Sequence, residues 1–191
     1  MRKTKIAILI SGRGSNMEAI AKACENSDFP AQVVLVLSNK IDAQGLEFAK
    51  SAGIKTAFVD HKNFSSREEF DKKVSEEIEN SGAEIICLAG FMRLLSPWFV
   101  NHWFDRAINI HPSLLPEFRG ADAVGDAIKA GAKKSGCTVH FVREEMDSGP
   151  IILQAEVPVF EGDTKEILAA RILKEEHQIY PKALEILCEK N

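Results

Sequence analysis

Asn109 and His111 stand two residues apart in INIHPSLLP, the stretch 108–116, where they alternate with the apolar Ile108 and Ile110. On an extended segment, residues i and i+2 share a face, so the amide and the imidazole point the same way. A neutral imidazole can take a proton from an attacking amine and then deliver it to a leaving group. An amide N–H beside it can donate to an oxygen that gains negative charge. Pro112 fixes the backbone directly after the histidine. The same spacing also fits a structural cap in which both side chains bond to loop backbone.

Asp147, in EEMDSGP, is a third candidate. Its carboxylate could orient His111 and support the protonated ring, although Asp before Ser-Gly-Pro is also ordinary turn chemistry. SGRGSN, residues 11–16, lies between a buried strand and a helix. Glycine lets the backbone turn tightly and bring its N–H groups close to a ligand, and a helix start favours an anion. Gly14, Ser15 and Asn16 are therefore candidate phosphate contacts, against the plainer reading of a strand–helix turn capped by Ser15. Met17 occupies the third glycine position of a dinucleotide fingerprint, and no Lys-Ser/Thr completes a P-loop.

The stretch LAGFMRLL, 88–95, ends a strand in glycine and large apolar groups. It could wall a pocket for a flat organic molecule, or Phe91 and Leu94 could simply be core. Arg67 could meet a carboxylate, with an exposed arginine as the default. His140 in CTVHFV is as much a strand histidine as a site residue. Glu176 and His177 make no independent claim.

The elements that must position these groups alternate. Apolar runs at 5–10, 32–37, 55–59 and 83–89 read as strands, those without polar alternation as strands covered on both faces. Helices are expected from Ser15 or Asn16 to Glu25, over 43–52 and over 66–80, with a short one at Pro97. Residues 106–110 lead into INIHPSLLP. This rhythm predicts an α/β fold: a mostly parallel, Rossmann-like sheet with helices on both faces. The last third differs, with a helix at 121–130, strands at 138–142 and 151–157 as an antiparallel addition, and a long final helix capped by Thr164. Its candidate core positions are Ile167, Leu168, Ile172, Ile179, Leu184 and Leu187. No linker or repeat interrupts residues 1–191, so one domain is expected.

Composition narrows the function. Hydrophobic residues make up 45% and charged residues 27%, a globular balance, and the net charge of -4 argues against a broad nucleic-acid footprint. The basic start followed by an apolar run breaks at Ser11-Gly12-Arg13, too soon for a signal peptide. No apolar run reaches the roughly 18 residues that suggest a membrane span. The four cysteines are dispersed, and Cys24, Cys87 and Cys188 read as small core residues in a reducing cytoplasm. The histidines form no metal signature, so no metal is expected.

Taken together, ILISGRGSN, LSNKIDAQGLEFAKSAGI, FSSREEF, LAGFMRLLSP, NIHPSLLP, DSGPIILQAEVPV and EEHQIYP identify a resemblance. In this order they are similar to the folate-dependent phosphoribosylglycinamide formyltransferases (GAR transformylases) of purine biosynthesis, from residue 5 to about residue 181. The resemblance implies the formyltransferase fold, with 10-formyltetrahydrofolate as formyl donor and a phosphoribosyl glycinamide as acceptor. It implies Asn109, His111 and Asp147 as the catalytic trio and Gly14, Ser15 and Asn16 as phosphate ligands. Glu176 would lie near the phosphoribosyl substrate. Arg67, Met92, Arg93, Leu94, Leu95 and Asn109 would face the folate. Partners would be these small molecules alone, without nucleic acid or membrane, for a monomer or homodimer. The stretch EFRGADAVGDAI after the motif departs from the family, and many members carry a longer C-terminal tail.

Other readings remain. A formyl-folate hydrolase usually carries an N-terminal regulatory domain, whereas this chain starts at the first strand. A transfer-RNA formyltransferase adds a C-terminal module for which there is no room. A non-catalytic nucleotide- or folate-binding protein would keep the pocket without the chemistry.

Overall fold

The computed structural model describes residues 2–189; Met1, Lys190 and Asn191, the ends of the expected 1–191 domain, lie outside the described residues. The chain runs β1 (Thr4–Ile10), α1 (Ser15–Glu25), β2 (Ala31–Ser38), α2 (Gln44–Ser51), β3 (Thr56–Phe58), α3 (Arg67–Asn80), β4 (Ile85–Leu88), α4 (Pro97–His102), β5 (Ala107–His111), α5 (Ala123–Lys129), β6 (Lys134–Phe141), β7 (Ile151–Pro158) and α6 (Lys165–Glu189). A 3-10 turn at His61–Asn63 precedes α3.

The strands form one sheet in the order β3-β2-β1-β4-β5-β6-β7. β3 through β5 pair in parallel, while β6 and β7 run antiparallel. Both sheet faces are covered, and β1 shows how. Ile6, Ile8 and Ile10 enter a core that includes Met17 and Ile20 of α1 and Ile172, Tyr180 and Leu184 of α6. Ala7 and Leu9 enter the opposite core with Phe70, Val74 and Ile78 of α3 and Phe99 of α4. A two-residue period with both sets apolar is the pattern of a strand buried on each side.

Three expectations change. α1 is capped by Gly14, in the left-handed region with φ 79, and no side chain caps it. Ser15 and Asn16 are already helical, because a turn this tight needs the residue without a Cβ. β6 starts four residues earlier than the β-branched run suggests, with Lys134 opposite Pro158. Pairing with β7 carries Ser135 and Gly136 into the strand, and a Cβ on Gly136 would meet the Ala155 carbonyl oxygen at 2.0 Å. Ile167 is exposed, one position before the stripe Leu168, Ile172 and Ile179 that α6 buries. Thr164 does accept from the Ile167 N–H, at 3.3 Å. Among the described residues, no helix is long and apolar enough to cross a membrane.

Candidate active site

The site lies along the carboxyl ends of β1, β4 and β5, where parallel α/β sheets place ligands. At the end of β1 the glycine turn packs against the start of α2. A Cβ on Gly14 would approach the Gly45 Cα to 2.9 Å, so both positions need glycine for the backbones to meet. Gly45 N–H donates to the Gly12 carbonyl at 3.1 Å, locking the contact. Beside the turn is a cleft of about 370 Å³ lined by residues 11–16 together with Lys40, Ala89, Gly90 and Met92. The first turn of α1 leaves its N–H groups without helical partners, and Arg13 and Lys40 add exposed positive charge at the rim. Backbone donors, a helix start and two cations suit a phosphate.

Asn16 is less simple than its motif. It is buried, and its Nδ2 donates to Glu176 Oε2 at 2.8 Å, while its Oδ1 finds no partner among the described residues. Glu176 reaches it because α6 presents Ile172, Glu176 and Tyr180 at four-residue spacing on its buried face. The Tyr180 hydroxyl donates toward the carbonyls of Leu88 and Ile108, at 2.9 and 3.2 Å. That seats α6 across the ends of β4 and β5. Burial pushes the Glu176 carboxyl above the usual carboxylate range, with the Asn16 bond and the charge of His111 acting the other way.

Asn109 and His111 do share a face of β5, and β6 lies antiparallel beside them. Asn109 is directly opposite His140, and His111 is opposite Thr138. The Asn109 Nδ2 is 3.4 Å from His140 Nε2. His140 Nδ1 is 2.9 Å from the Phe141 carbonyl oxygen, which can only accept, so Nδ1 carries the proton. Burial lowers the His140 pKa from 6.5. The neutral ring then offers its Nε2 lone pair to the Asn109 amide and orients it.

His111 is buried, and its Nε2 donates to the Phe118 carbonyl at 2.9 Å. Its Nδ1 lies 3.4 Å from Asp147 Oδ2. The same carboxylate accepts from the Gly120 N–H at 2.9 Å and stands 3.7 Å from His140 Nε2. Asp147 has φ 53, so it is both the turn residue and the histidine's neighbour. An imidazole with an acceptor at each nitrogen can hold a second proton and release it. Past His111 the chain turns through Ser113, whose carbonyl accepts from Thr138 Oγ1 at 2.7 Å, and Leu115, whose N–H donates to that same oxygen at 3.1 Å. The turn is thus anchored from β6 as well as stiffened by its prolines.

Residues 92–95 behave differently from one another. Met92 and Leu94 are 75% and 53% exposed, which removes Leu94 from the core reading, whereas Phe91 packs partly against the second core. The Arg93 guanidinium lies 5.6 Å from the centre of the Phe70 ring, and its Nε is buried without a partner among the described residues. Arg67 is exposed at the start of α3. Arg67 and Arg93 both act electrostatically on Asp71, so they share one neighbourhood. The structure thus joins Asn109, His111 and Asp147 in one cluster and Asn16 with Glu176 in another, and it brings Met92 to the cleft of the glycine turn. Among the described residues, no direct contact links Arg67 to the imidazole cluster. Lys40 went unmarked in the sequence, where nothing separates it from any other surface lysine. His140 was left open because only strand pairing sets it opposite Asn109. Among the described residues, no group of three or more His, Cys, Asp or Glu is placed to hold a metal ion.

Residues 4–184 match the family described as formyl transferase. The chain is 48% identical to the phosphoribosylglycinamide formyltransferase of Escherichia coli over 92% of its own length and 83% of that protein. It is 49% identical to the trifunctional purine biosynthetic protein adenosine-3 of Gallus gallus over 97% of its own length, but spans only 18% of that longer protein. The crystal structure of glycinamide ribonucleotide transformylase 1 from Symbiobacterium toebii superposes with a TM-score of 0.96 at 46% identity, covering 98% of this chain and 89% of the other. That of the phosphoribosylglycinamide formyltransferase from Brucella melitensis gives 0.93 at 48%, covering 98% and 96%. Matched by the family over residues 4–184 and 48% identical to a relative it covers over most of both chains, the chain belongs to the formyl transferase family.

Proposed function

We propose that this chain, as one catalytic domain, transfers the formyl group of 10-formyltetrahydrofolate to the amine of N1-(5-phosphoribosyl)glycinamide. The products are formylglycinamide ribonucleotide and tetrahydrofolate, in cytoplasmic purine biosynthesis. The observation that carries this reading is the convergence of Asn109, His111 and Asp147 beside a glycine turn suited to phosphate.

The amine attacks the formyl carbon, forming the new C–N bond and placing negative charge on the formyl oxygen. The Asn109 amide, held by His140, donates to that oxygen. His111 takes the proton lost by the amine and delivers it to N10 of the folate as the C–N10 bond breaks, while Asp147 supports the charged ring. Gly14, Ser15 and Asn16, with Lys40 at the rim, hold the phosphate, and Glu176 meets the ribose. Arg67 and residues Met92, Arg93, Leu94 and Leu95 form the folate side. The partners are these small molecules.

An assay of the purified protein with 10-formyltetrahydrofolate, with and without glycinamide ribonucleotide, tests this. Folate deformylation should require the acceptor and yield its formylated form. Equal consumption without the acceptor would mean a hydrolase, and silence in both arms from folded protein would mean a binding module.

A further inference from the structure

The loop between Gly90 and α4 presents Met92 and Leu94 to solvent, yet it is fastened at both ends by side chains from elsewhere in the chain. At its start, the Met92 N–H donates to Ser11 Oγ at 2.8 Å, and the Ser11 N–H donates to the Gly90 carbonyl at 3.1 Å. The Ser11 hydroxyl proton goes to Asn39 Oδ1 at 2.6 Å, so this oxygen is committed in both roles. At the loop's end, the Ser96 N–H donates to Asp71 Oδ2. Ser96 is itself the N-cap of α4, accepting from the Phe99 N–H.

Asp71 is an unusual residue to find there. It is fully buried on the inner face of α3 among Phe70, Val74 and Ile78. A buried carboxylate is costly unless bonded, and an apolar residue at such a position usually serves stability better. Its second oxygen, Oδ1, has no hydrogen-bond partner among the described residues, so Ser96 at the end of the loop takes the carboxyl's hydrogen bonding, while Arg67 and Arg93 act on it electrostatically. Ser75, one turn along, accepts from Trp103 Nε1 at 2.9 Å, and Glu79 Oε1 lies 2.6 Å from His102 Nε2, so α3 reaches the end of α4 without Asp71. The bond from Asp71 acts instead where the exposed apolar loop ends.

We propose that Asp71 and Ser11 are positioning residues that hold the loop 92–95 in the shape that receives the formyl donor. This rests on reading that loop as the folate side. Neither residue needs to touch the reacting atoms. Each fixes one end of a short exposed segment that would otherwise have to be ordered by the donor at the moment of binding, at a cost in affinity.

The test is steady-state kinetics of the full chain at saturating glycinamide ribonucleotide, varying 10-formyltetrahydrofolate, for wild type, Asp71→Ala, Asp71→Asn and Ser11→Ala. The wild-type arm stands alone: if it shows no acceptor-dependent deformylation, the functional reading fails, whatever the variants do. Given wild-type activity, Asp71→Ala and Ser11→Ala should each raise the donor KM about tenfold, the scale of one lost hydrogen bond at a binding surface; kcat should be little changed in Asp71→Ala, while Ser11→Ala, which also borders the glycine-turn cleft, is read by its donor KM alone. Asp71→Asn keeps an oxygen to accept from the Ser96 N–H and should restore the donor KM. A folded Asp71→Ala with the wild-type donor KM, or an Asp71→Asn as impaired as Asp71→Ala, overturns the proposal. Should Asp71→Ala fail to fold, Asp71→Asn and Ser11→Ala decide, since a wild-type donor KM in Ser11→Ala also overturns it.

Discussion

In the proposed site, the glycine turn and the imidazole cluster are built on opposite principles. The turn is local and made of backbone: six consecutive residues, a left-handed Gly14 and a helix start, open to a cleft. The cluster is non-local and made of side chains: Asn109 and His111 from β5, His140 from β6, and Asp147 from the loop before β7, with His111 and His140 buried. In the proposed reaction, backbone donors would hold a charge that is present before and after the transfer, so they would act through binding. Buried titratable side chains can change protonation during the reaction, so they act on the rate. Interactions made equally in ground and transition states lower KM, whereas those made only in the transition state raise kcat.

The largest effect that would sharpen this contrast is loss of the proton carrier. His111→Ala should lower kcat by about 10²–10⁴-fold while far-ultraviolet circular dichroism stays native, and a folded variant with near-wild-type rates would break the assignment. Asn109→Ala comes next, with kcat reduced by about 10²–10³-fold and the acceptor KM little changed. Gly14→Ala should show the opposite division. A side chain at φ 79, with its Cβ 2.9 Å from the Gly45 Cα, forces the turn apart. The acceptor KM should then rise about tenfold with kcat much less affected; a fall confined to kcat would erase the distinction.

Smaller effects probe the supporting groups. His140→Ala should reduce kcat several-fold, about the value of one neutral hydrogen bond. Because burial depresses the His140 pKa, the wild-type ring should stay neutral to lower pH than a free imidazole, as nitrogen-15 NMR of its imidazole can show. Protonation at lower pH would turn Nε2 from acceptor to donor and release Asn109. Glu176→Gln is the subtlest case. Burial raises the Glu176 pKa in the folded state, so its contribution is neutral below the unfolded value near 4.5 and becomes unfavourable as pH rises through the folded value. Urea unfolding should therefore find Glu176→Gln more stable than wild type at pH 7, with the gap closing toward pH 4, even as the acceptor KM worsens.

The two regions also differ in how far they can be read from the chain alone. SGRGSN, the two-residue spacing of Asn109 and His111, the buried strand runs and the β/α rhythm are all encoded in contiguous residues. Periodicity and turn chemistry act over a few positions, so they survive in a one-dimensional reading. The resemblance favoured the partnership of His111 with Asp147, which the residues alone left open between orienting the histidine and forming a turn. What the tertiary structure decided rests on long-range contacts. His140 becomes the partner of Asn109 only because β6 runs antiparallel at that register. Asn16 turns to Glu176 across 160 residues of sequence. Gly14 replaces Ser15 as the cap because the turn must clear Gly45. Asp71 and Ser11 acquire a reason to be polar only when the loop they hold is folded against them. A side chain's type shows what it can donate or accept, but its partner is fixed by which distant strand or helix packs beside it.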